Sequence, residues 1–249
     1  MIKSLTAAAL AALLATSAQA EPTHVMVRAQ ALDAKFIGDH MGGVRVTLTD
    51  ARTGAVLAKG LTKGGTGDTP RIMKAPRVRG ADLADAATSG FLATLDIKQP
   101  TLVRALAEGP AGHPGAAVKI SSSLWILPGR DITGDGWVLT FPGLVIEPTT
   151  APAADGALRI TAKVSLMCGC PIEPGGVWDA KNYDVQAVLL RRGRVVAAAP
   201  LAYAGQPSQF AGLLPNAPPG RYTLRLVATD RTTPNAGVIE QAVKIPARH

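Results

Sequence analysis

The stretch Leu158-Arg159-Ile160-Thr161-Ala162-Lys163-Val164-Ser165-Leu166 decides the fold, because its side chains alternate strictly between apolar and polar. Successive side chains of a strand point to opposite faces, so this period of two predicts a β-strand with one buried and one solvated face. Abundant Gly and Pro beside few aromatic residues fits short strands joined by tight turns. Strand patterns recur at 24–32, 44–48, 55–61, 91–97, 102–106, 118–127, 137–146, 184–190, 195–203, 222–228 and 238–245. The sequence therefore predicts an all-β chain.

A segment rich in Pro, Ala and Thr, residues 148–156, lies directly before this strand. Such a composition is typical of a linker between domains. We therefore predict two β-sandwich domains, residues 21–147 and residues 157–249, joined by this linker. Residues 63–80 show little periodicity and are predicted to form a long loop, with a helical turn at 81–87 after it.

Two segments carry resemblances to known modules. Residues 44–60 have the form V-x-V-x-L-x-D-x-x-T-G-x-x-x-A-x-G, and residues 24–70 resemble the transthyretin-like or carboxypeptidase-regulatory-like β-sandwich modules of secreted proteins. Residues 218–226, within 157–247, resemble the P-G-x-Y-x-L-x-V segment of immunoglobulin-like and fibronectin-like bacterial domains. The second resemblance implies a sandwich with Tyr222 at a corner. It implies the architecture alone, since the inter-sheet Cys pair and matching Trp of antibody domains are absent.

The first twenty residues have the form of a secretory signal. Lys3 precedes an apolar run over residues 5–15, and residues 17–20 read Ser-Ala-Gln-Ala, a pattern that signal peptidase cleaves. We expect residues 1–20 to be removed and the mature chain to begin at Glu21. No later apolar run reaches about 18 residues, so no transmembrane segment is expected after signal removal. The predicted location is periplasmic or secreted, with a protein partner there or at the envelope.

The formal net charge of +8 makes the chain basic. Export argues against nucleic acid as the partner, and the basic residues do not cluster with aromatic ones. The densest basic run, residues 191–194, is predicted to be a hairpin turn. A solvated cationic surface is the simple interpretation, and contact with anionic lipid or polysaccharide is the alternative.

The motif Met167-Cys168-Gly169-Cys170-Pro171 is where specific chemistry is expected. Gly and Pro weaken strand pairing, so the chain is predicted to turn here at the end of the sandwich. A disulfide between Cys168 and Cys170 would close a small, strained ring that is easily reduced, which suggests a redox participant. Alternatively, Met167, Cys168 and Cys170 could bind a soft ion such as Cu(I). The third interpretation is two small buried side chains, or thiols paired with another chain.

Two further soft ligands, His40 and Met41, precede the second strand and could complete a copper site if the two halves fold together. The leading hypothesis is a periplasmic accessory or binding protein with a Cu(I) site formed by Met167, Cys168, Cys170, His40 and Met41. One alternative is a cofactor-free interaction module that uses the loop 63–80. The other is a thiol–disulfide participant.

Enzymatic motifs are sparse, and the protein is predicted not to be an enzyme. The mature chain contains no G-x-S-x-G, no S-x-x-K and no H-E-x-x-H. Residues 131–136 resemble the first half of a calcium loop, but Pro142 stands where an EF-hand has its bidentate Glu. These residues are therefore predicted to form a polar hairpin turn.

Overall fold

A computed structural model describes residues 21–153, 157–215 and 217–245, and within these residues the protein is built almost entirely of β-strands. The predicted all-β class is confirmed. The predicted signal peptide, residues 1–20, lies outside the described residues. The strands are β1 (Thr23–Ala31), β2 (Arg45–Asp50), β3 (Val56–Leu61), β4 (Phe91–Leu95), β5 (Thr101–Gly109), β6 (Val118–Ile126), β7 (Ile132–Phe141), β8 (Leu144–Pro152), β9 (Leu158–Leu166), β10 (Tyr183–Arg191), β11 (Arg194–Tyr203), β12 (Gln209–Leu214), β13 (Gly220–Asp230) and β14 (Ala236–Ile245).

Short helical turns interrupt the strands at three described places: Asp39–Met41 and Ala180–Asn182 are 3-10 turns, and Pro70–Lys74 is a π-helical turn. The helical turn predicted at 81–87 is wrong, because these residues form bends and turns instead. Their backbone N–H groups find a partner outside the segment: the Asp135 carboxylate accepts hydrogen bonds from Leu83 and Ala84.

The strands before residue 142 form two sheets, of order β4-β1-β7 and β3-β2-β5-β6. Strands β1 and β7 run parallel, and the other pairs in these sheets are antiparallel. The alternation of β1 puts Val25, Val27 and Ala29 on the buried side, in one apolar cluster with Leu48 of β2 and Val103 of β5. Burial of these alternate side chains is what holds the two sheets together.

The remaining strands form one sheet of order β14-β13-β10-β11-β12-β9-β8. Strand β11 pairs with β10 over most of its length but with β12 only through Ala202 and Tyr203. This partial pairing lets the sheet fold over, so that β14 and β8, the two ends of the order, come into contact. The result is a sandwich in which residues 194–200 have no neighbouring strand on one side within the described chain.

The segment predicted as a linker contains strand instead of coil. Residues 148–152 lie in β8, which pairs with β9 from Leu144–Leu166 to Pro152–Leu158, while residues 154–156 lie outside the described residues. Proline is tolerated here because β8 stands at the end of its sheet order. The chain passes from the first two sheets to the third at Pro142-Gly143, which divides the predicted strand 137–146 into β7 and β8. The division into two domains stays a prediction.

The tyrosine expected at a sandwich corner takes that position. Tyr222 is buried at the start of β13, and its hydroxyl donates a hydrogen bond to the Pro218 carbonyl at 2.6 Å. The guanidinium of Arg191 lies 5.6 Å from the centre of the Tyr222 ring, within cation–π range. These two contacts hold the chain in place where it enters β13.

Polar contacts and shared packing join the two halves of the chain. The buried Asn235 side chain donates to the Leu32 carbonyl at 3.0 Å and accepts from the Gly143 N–H at 2.8 Å. The Trp178 indole donates to the Asp33 carbonyl at 2.9 Å. One continuous apolar cluster includes buried residues of both halves. These contacts bring residues 33–41 against the loop that follows β9.

Candidate functional site

The Cys-Gly-Cys motif forms a tight turn directly after β9. The Gly169 N–H donates to the Leu166 carbonyl at 2.8 Å, and Pro171 forms an isolated antiparallel bridge with Ser165. Gly169 has φ +71°, in the left-handed region that residues with a Cβ rarely adopt. The turn therefore requires glycine between the two cysteines, and it lies where the sequence predicted the strand to end.

The two cysteine sulfurs are bonded to each other. The Cys168–Cys170 disulfide has Cα atoms 5.3 Å apart, and the described chain contains no unpaired cysteine. Of the three interpretations of the motif, the structure therefore has the intramolecular disulfide.

Cys168 and Cys170 are among the residues that line a surface pocket of about 270 Å³. Cys168 is 0% exposed and Cys170 is 3% exposed, so Cys170 is the marginally more accessible of the two. The walls come from both halves of the chain and include Lys35, His40, Thr66, Thr69, Glu173 and Trp178. The sulfurs are thus packed closely yet border a space that is large enough for a small side chain.

His40 and Met41 lie against this turn, although they are more than a hundred residues away in sequence. A Cβ placed on Gly169 would lie 2.7 Å from Met41 Sδ and closer still to His40 Nε2. Both residues belong to the 3-10 turn Asp39–Met41. The structure thus brings four of the five residues of the predicted soft-ligand set to one place.

Met167, the fifth residue of that set, packs at Gly143 and not at Gly169. It is buried, and its terminal methyl packs where Gly143 has room, because Gly143 carries no Cβ. The thioether that contacts Gly169 therefore belongs to Met41. The sequence pointed to Met167 only because it is adjacent to Cys168.

The closeness of His40, Met41, Cys168 and Cys170 does not by itself form a metal site. Within residues 21–153, 157–215 and 217–245, no group of three or more His, Cys, Asp or Glu side chains is arranged to hold a metal ion. The thiolate is the ligand form of cysteine, and the two sulfurs here are joined. A soft-metal site would therefore first require reduction of this disulfide.

The residues that resemble a calcium loop, 131–136, have carboxylates that accept hydrogen bonds from backbone N–H groups of the protein. The Asp131 carboxylate accepts the His24 backbone N–H at 2.7 Å, which holds the pKa of Asp131 below its ordinary value. The Asp135 carboxylate accepts two backbone N–H groups of the segment 83–84. Residues 132–136 lie within β7, so the predicted hairpin turn is wrong. The Asp135 carboxylate thus holds residues 83–84 to β7, and the Asp131 carboxylate binds the start of β1.

A buried arginine that the sequence pattern did not single out holds the same loop. Arg28, in the middle of β1, is 5% exposed. Its guanidinium donates to the carbonyls of Thr88, Ser89 and Gly134, with the Ser89 contact at 2.9 Å. Burial lowers the pKa of Arg28, while Asp135, Asp85 and Asp82 raise it. The only sequence signal was a cation on the polar side of an otherwise regular strand.

The long loop at 63–80 has an anchored base and an exposed tip. The bridges Lys63–Gly90 and Gly65–Thr88 hold the base. Ile72 is buried in a small cluster with Phe36 and Ala84. Residues 74–81 are all exposed, and Val78 is 69% exposed. The base contributes Thr66 and Thr69 to the wall of the disulfide pocket, so the loop borders the site.

Comparisons with known proteins give a distant similarity. No family model matches the sequence, and no curated protein matches it significantly. Among solved structures, the chain is similar to the selenomethionine-substituted chicken interferon gamma receptor alpha chain. That similarity has a TM-score of 0.33 and 7% identity, and it covers 91% of this chain and 98% of the receptor chain. The assignment to the all-β class rests on the strand pairing of this chain itself.

The helical content is confined to short turns. In the part of the chain that the structure describes, no helix has the length and apolar character needed to cross a membrane.

Proposed function

We propose that the protein is an exported accessory protein that acts through Cys168 and Cys170 as a thiol–disulfide site. The observation that carries this proposal is a disulfide that spans a single glycine and whose two cysteines line a pocket. A bond across a separation of two residues closes a small ring, and strained disulfides are the ones that are easily reduced. A structural staple would instead join segments that are distant in sequence.

The arrangement supplies the groups that exchange requires. We assign the attack of an incoming thiolate to Cys170 Sγ, because Cys170 is the more exposed of the two residues, and Cys168 then leaves as a thiolate when the S–S bond breaks. Lys35 lines the same pocket, and we assign to its positive charge a preference for the thiolate form of the cysteines. The His40 imidazole packs against Gly169, the residue between the two cysteines, and we assign to it the transfer of a proton to the leaving sulfur. The protein is proposed as a binding and redox accessory rather than a hydrolase, because its sequence carries no nucleophile motif.

The expected result is that the folded protein cycles between a disulfide and a dithiol under mild conditions. Dithiothreitol should expose two titratable thiols per chain without unfolding, and oxidised glutathione should restore the bond. Thiol titration beside circular dichroism measures both. The Cys168→Ser/Cys170→Ser variant gives the background signal of the thiol titration. A disulfide that reacts only after urea unfolds the chain would reject the proposal.

A second candidate function, Cu(I) binding by the reduced site, is favoured by the contact of Met41 Sδ and His40 with Gly169. Two thiolates, a thioether and an imidazole are ligands that soft ions prefer. In this candidate Met41 takes the place that the sequence gave to Met167. The protein would then carry or sense copper according to its redox state.

Copper uptake by the reduced protein distinguishes the two methionines. Under anaerobic conditions we expect about one Cu(I) per chain, and at least about tenfold weaker binding in Met41→Leu. Met167→Leu should bind as the unaltered protein does, since its methyl packs at Gly143. Competition with a coloured Cu(I) chelator measures the affinity. Equal uptake by Cys168→Ser/Cys170→Ser and the parent protein would eliminate this candidate.

A further inference from the structure

The exposed end of the loop 63–80 is strongly basic. We call residues 74–79 the basic tip; its cations are Lys74, Arg77 and Arg79. All three are exposed, and none of them belongs to an ion pair among the described residues. No acidic residue occurs from Thr69 to Ala81. Three unpaired cations around the exposed Val78 form a surface that is complementary to negative charge.

The loop that carries the basic tip also contributes to the wall of the disulfide pocket. Thr69 lines the pocket and directly precedes the turn Pro70–Lys74, which leads into the tip. Ile72, in the same turn, is anchored against Phe36 and Ala84. The loop is therefore anchored by packing directly before the tip begins.

Acidic groups near the loop base are engaged or lie outside the tip. The Asp68 carboxylate accepts the Arg71 backbone N–H at 2.7 Å. The hydrogen bond from the Thr88 hydroxyl, with a smaller contribution from Arg71, holds the pKa of Asp85 below its ordinary value. Glu173 and Lys35 both line the pocket, and Asp39 is exposed beside His40. The pocket walls thus carry both signs of charge, whereas the tip carries positive charge alone.

We propose that the partner of the disulfide is an acidic polypeptide with two reactive cysteines, which the basic tip recruits. This inference rests on the proposed thiol–disulfide function. A cationic patch beside a reactive centre raises the rate of encounter with anionic partners, and the effect weakens as salt screens it. The tip selects the partner by charge, and the pocket admits its cysteine side chain.

The exchange is balanced with the partner as reductant. The partner thiolate attacks Cys170 Sγ, a mixed disulfide forms, and Cys168 takes up a proton. A second cysteine of the partner then attacks the mixed disulfide. The partner dissociates with its two cysteines joined in a disulfide, oxidised by two electrons. Cys168 and Cys170 remain in the protein as thiols. With the dithiol form as the starting state, the same steps run in reverse and reduce a partner disulfide.

The test compares two synthetic peptides, each with two cysteines, flanked in one by Asp and Glu and in the other by Ser and Gly. Their rates of reducing the protein disulfide are followed by mass spectrometry. At about 20 mM salt the acidic peptide should react at least about tenfold faster, and at about 300 mM most of that advantage should vanish. Lys74→Gln/Arg77→Gln/Arg79→Gln should remove the advantage at low salt.

The matched control removes three exposed arginines outside the loop 63–80, Arg130→Gln/Arg192→Gln/Arg221→Gln. It should keep the preference for the acidic peptide. Equal loss in both triple variants, or no preference in the parent protein, would overturn the inference. Dithiothreitol separates this failure from failure of the proposed function, because it is uncharged and should reduce all these proteins alike. Binding of the tip to phosphatidylglycerol vesicles without any peptide preference would assign the tip to a membrane and overturn the inference.

Discussion

Replacement of Gly169 by alanine is expected to lower the free energy of unfolding by about 3 kcal/mol, the sum of two separate costs. The left-handed φ of +71° is unfavourable for any residue with a Cβ. In addition, the new methyl would lie 2.7 Å from Met41 Sδ and closer to His40 Nε2, so the 3-10 turn at 39–41 would have to move. Urea denaturation with the disulfide intact measures the loss.

A neighbouring glycine separates these two costs. Gly175 has φ +70°, but no atom lies within 4 Å of the position that a Cβ would take. Gly175→Ala should therefore cost only about 1–2 kcal/mol, the conformational part. Equal losses in the two variants would mean that His40 and Met41 do not press on the turn. The contact on which the copper candidate depends would then be absent.

The second large effect is expected at Arg28. Arg28→Met should lower the free energy of unfolding by about 3–4 kcal/mol, because buried carbonyls lose a charged donor. Methionine keeps an apolar stem of similar length, so the loss reports the hydrogen bonds to the carbonyls of Thr88, Ser89 and Gly134. Amide hydrogen exchange should quicken in residues 83–90, which the guanidinium holds against β1 and β7.

An exposed arginine serves as the control for Arg28. Arg225 donates to the Glu240 carboxylate at 2.6 Å on the outer side of β13 and β14, where both side chains are largely exposed. Arg225→Met should cost less than about 1 kcal/mol, because solvent screens such a pair. A loss at Arg28 no larger than this would show that the loop 82–90 is held by packing alone.

Strands with a regular period of two were predictable, and so was the turn at the cysteines. The alternation from Leu158 to Leu166 matches β9 at both ends. The pattern was informative because one face is buried and the other is solvated. Strand β12, Gln209–Leu214, was not predicted, since it contains a glycine and no clear alternation. Pro148 and Pro152 led to the prediction of a linker at 148–156, because proline is rare in central strands. Both prolines lie in β8, which stands at the end of its sheet order and can accommodate them.

The site was only half predictable. Residue chemistry identified Cys168 and Cys170, and it suggested His40 and Met41 as soft side chains that could join them. The packing that unites them depends on long-range contacts, such as that of Trp178 with the Asp33 carbonyl, which no local pattern encodes. The pocket walls from Lys35, Thr66 and Thr69 were missed for the same reason.

The unpaired side of β11 has a consequence for how this protein behaves when it is concentrated. Residues 195–199 read Val-Val-Ala-Ala-Ala, and Val195 and Val196 are exposed. On the side away from β10, this stretch has no partner strand among the residues that the structure describes. An open, apolar strand edge invites another chain to add itself as an extra strand. Arg194 before this run and Pro200 after it act as gatekeepers, by charge repulsion and by a missing N–H. Self-association is therefore expected to begin at this edge if Arg194 or Pro200 is replaced.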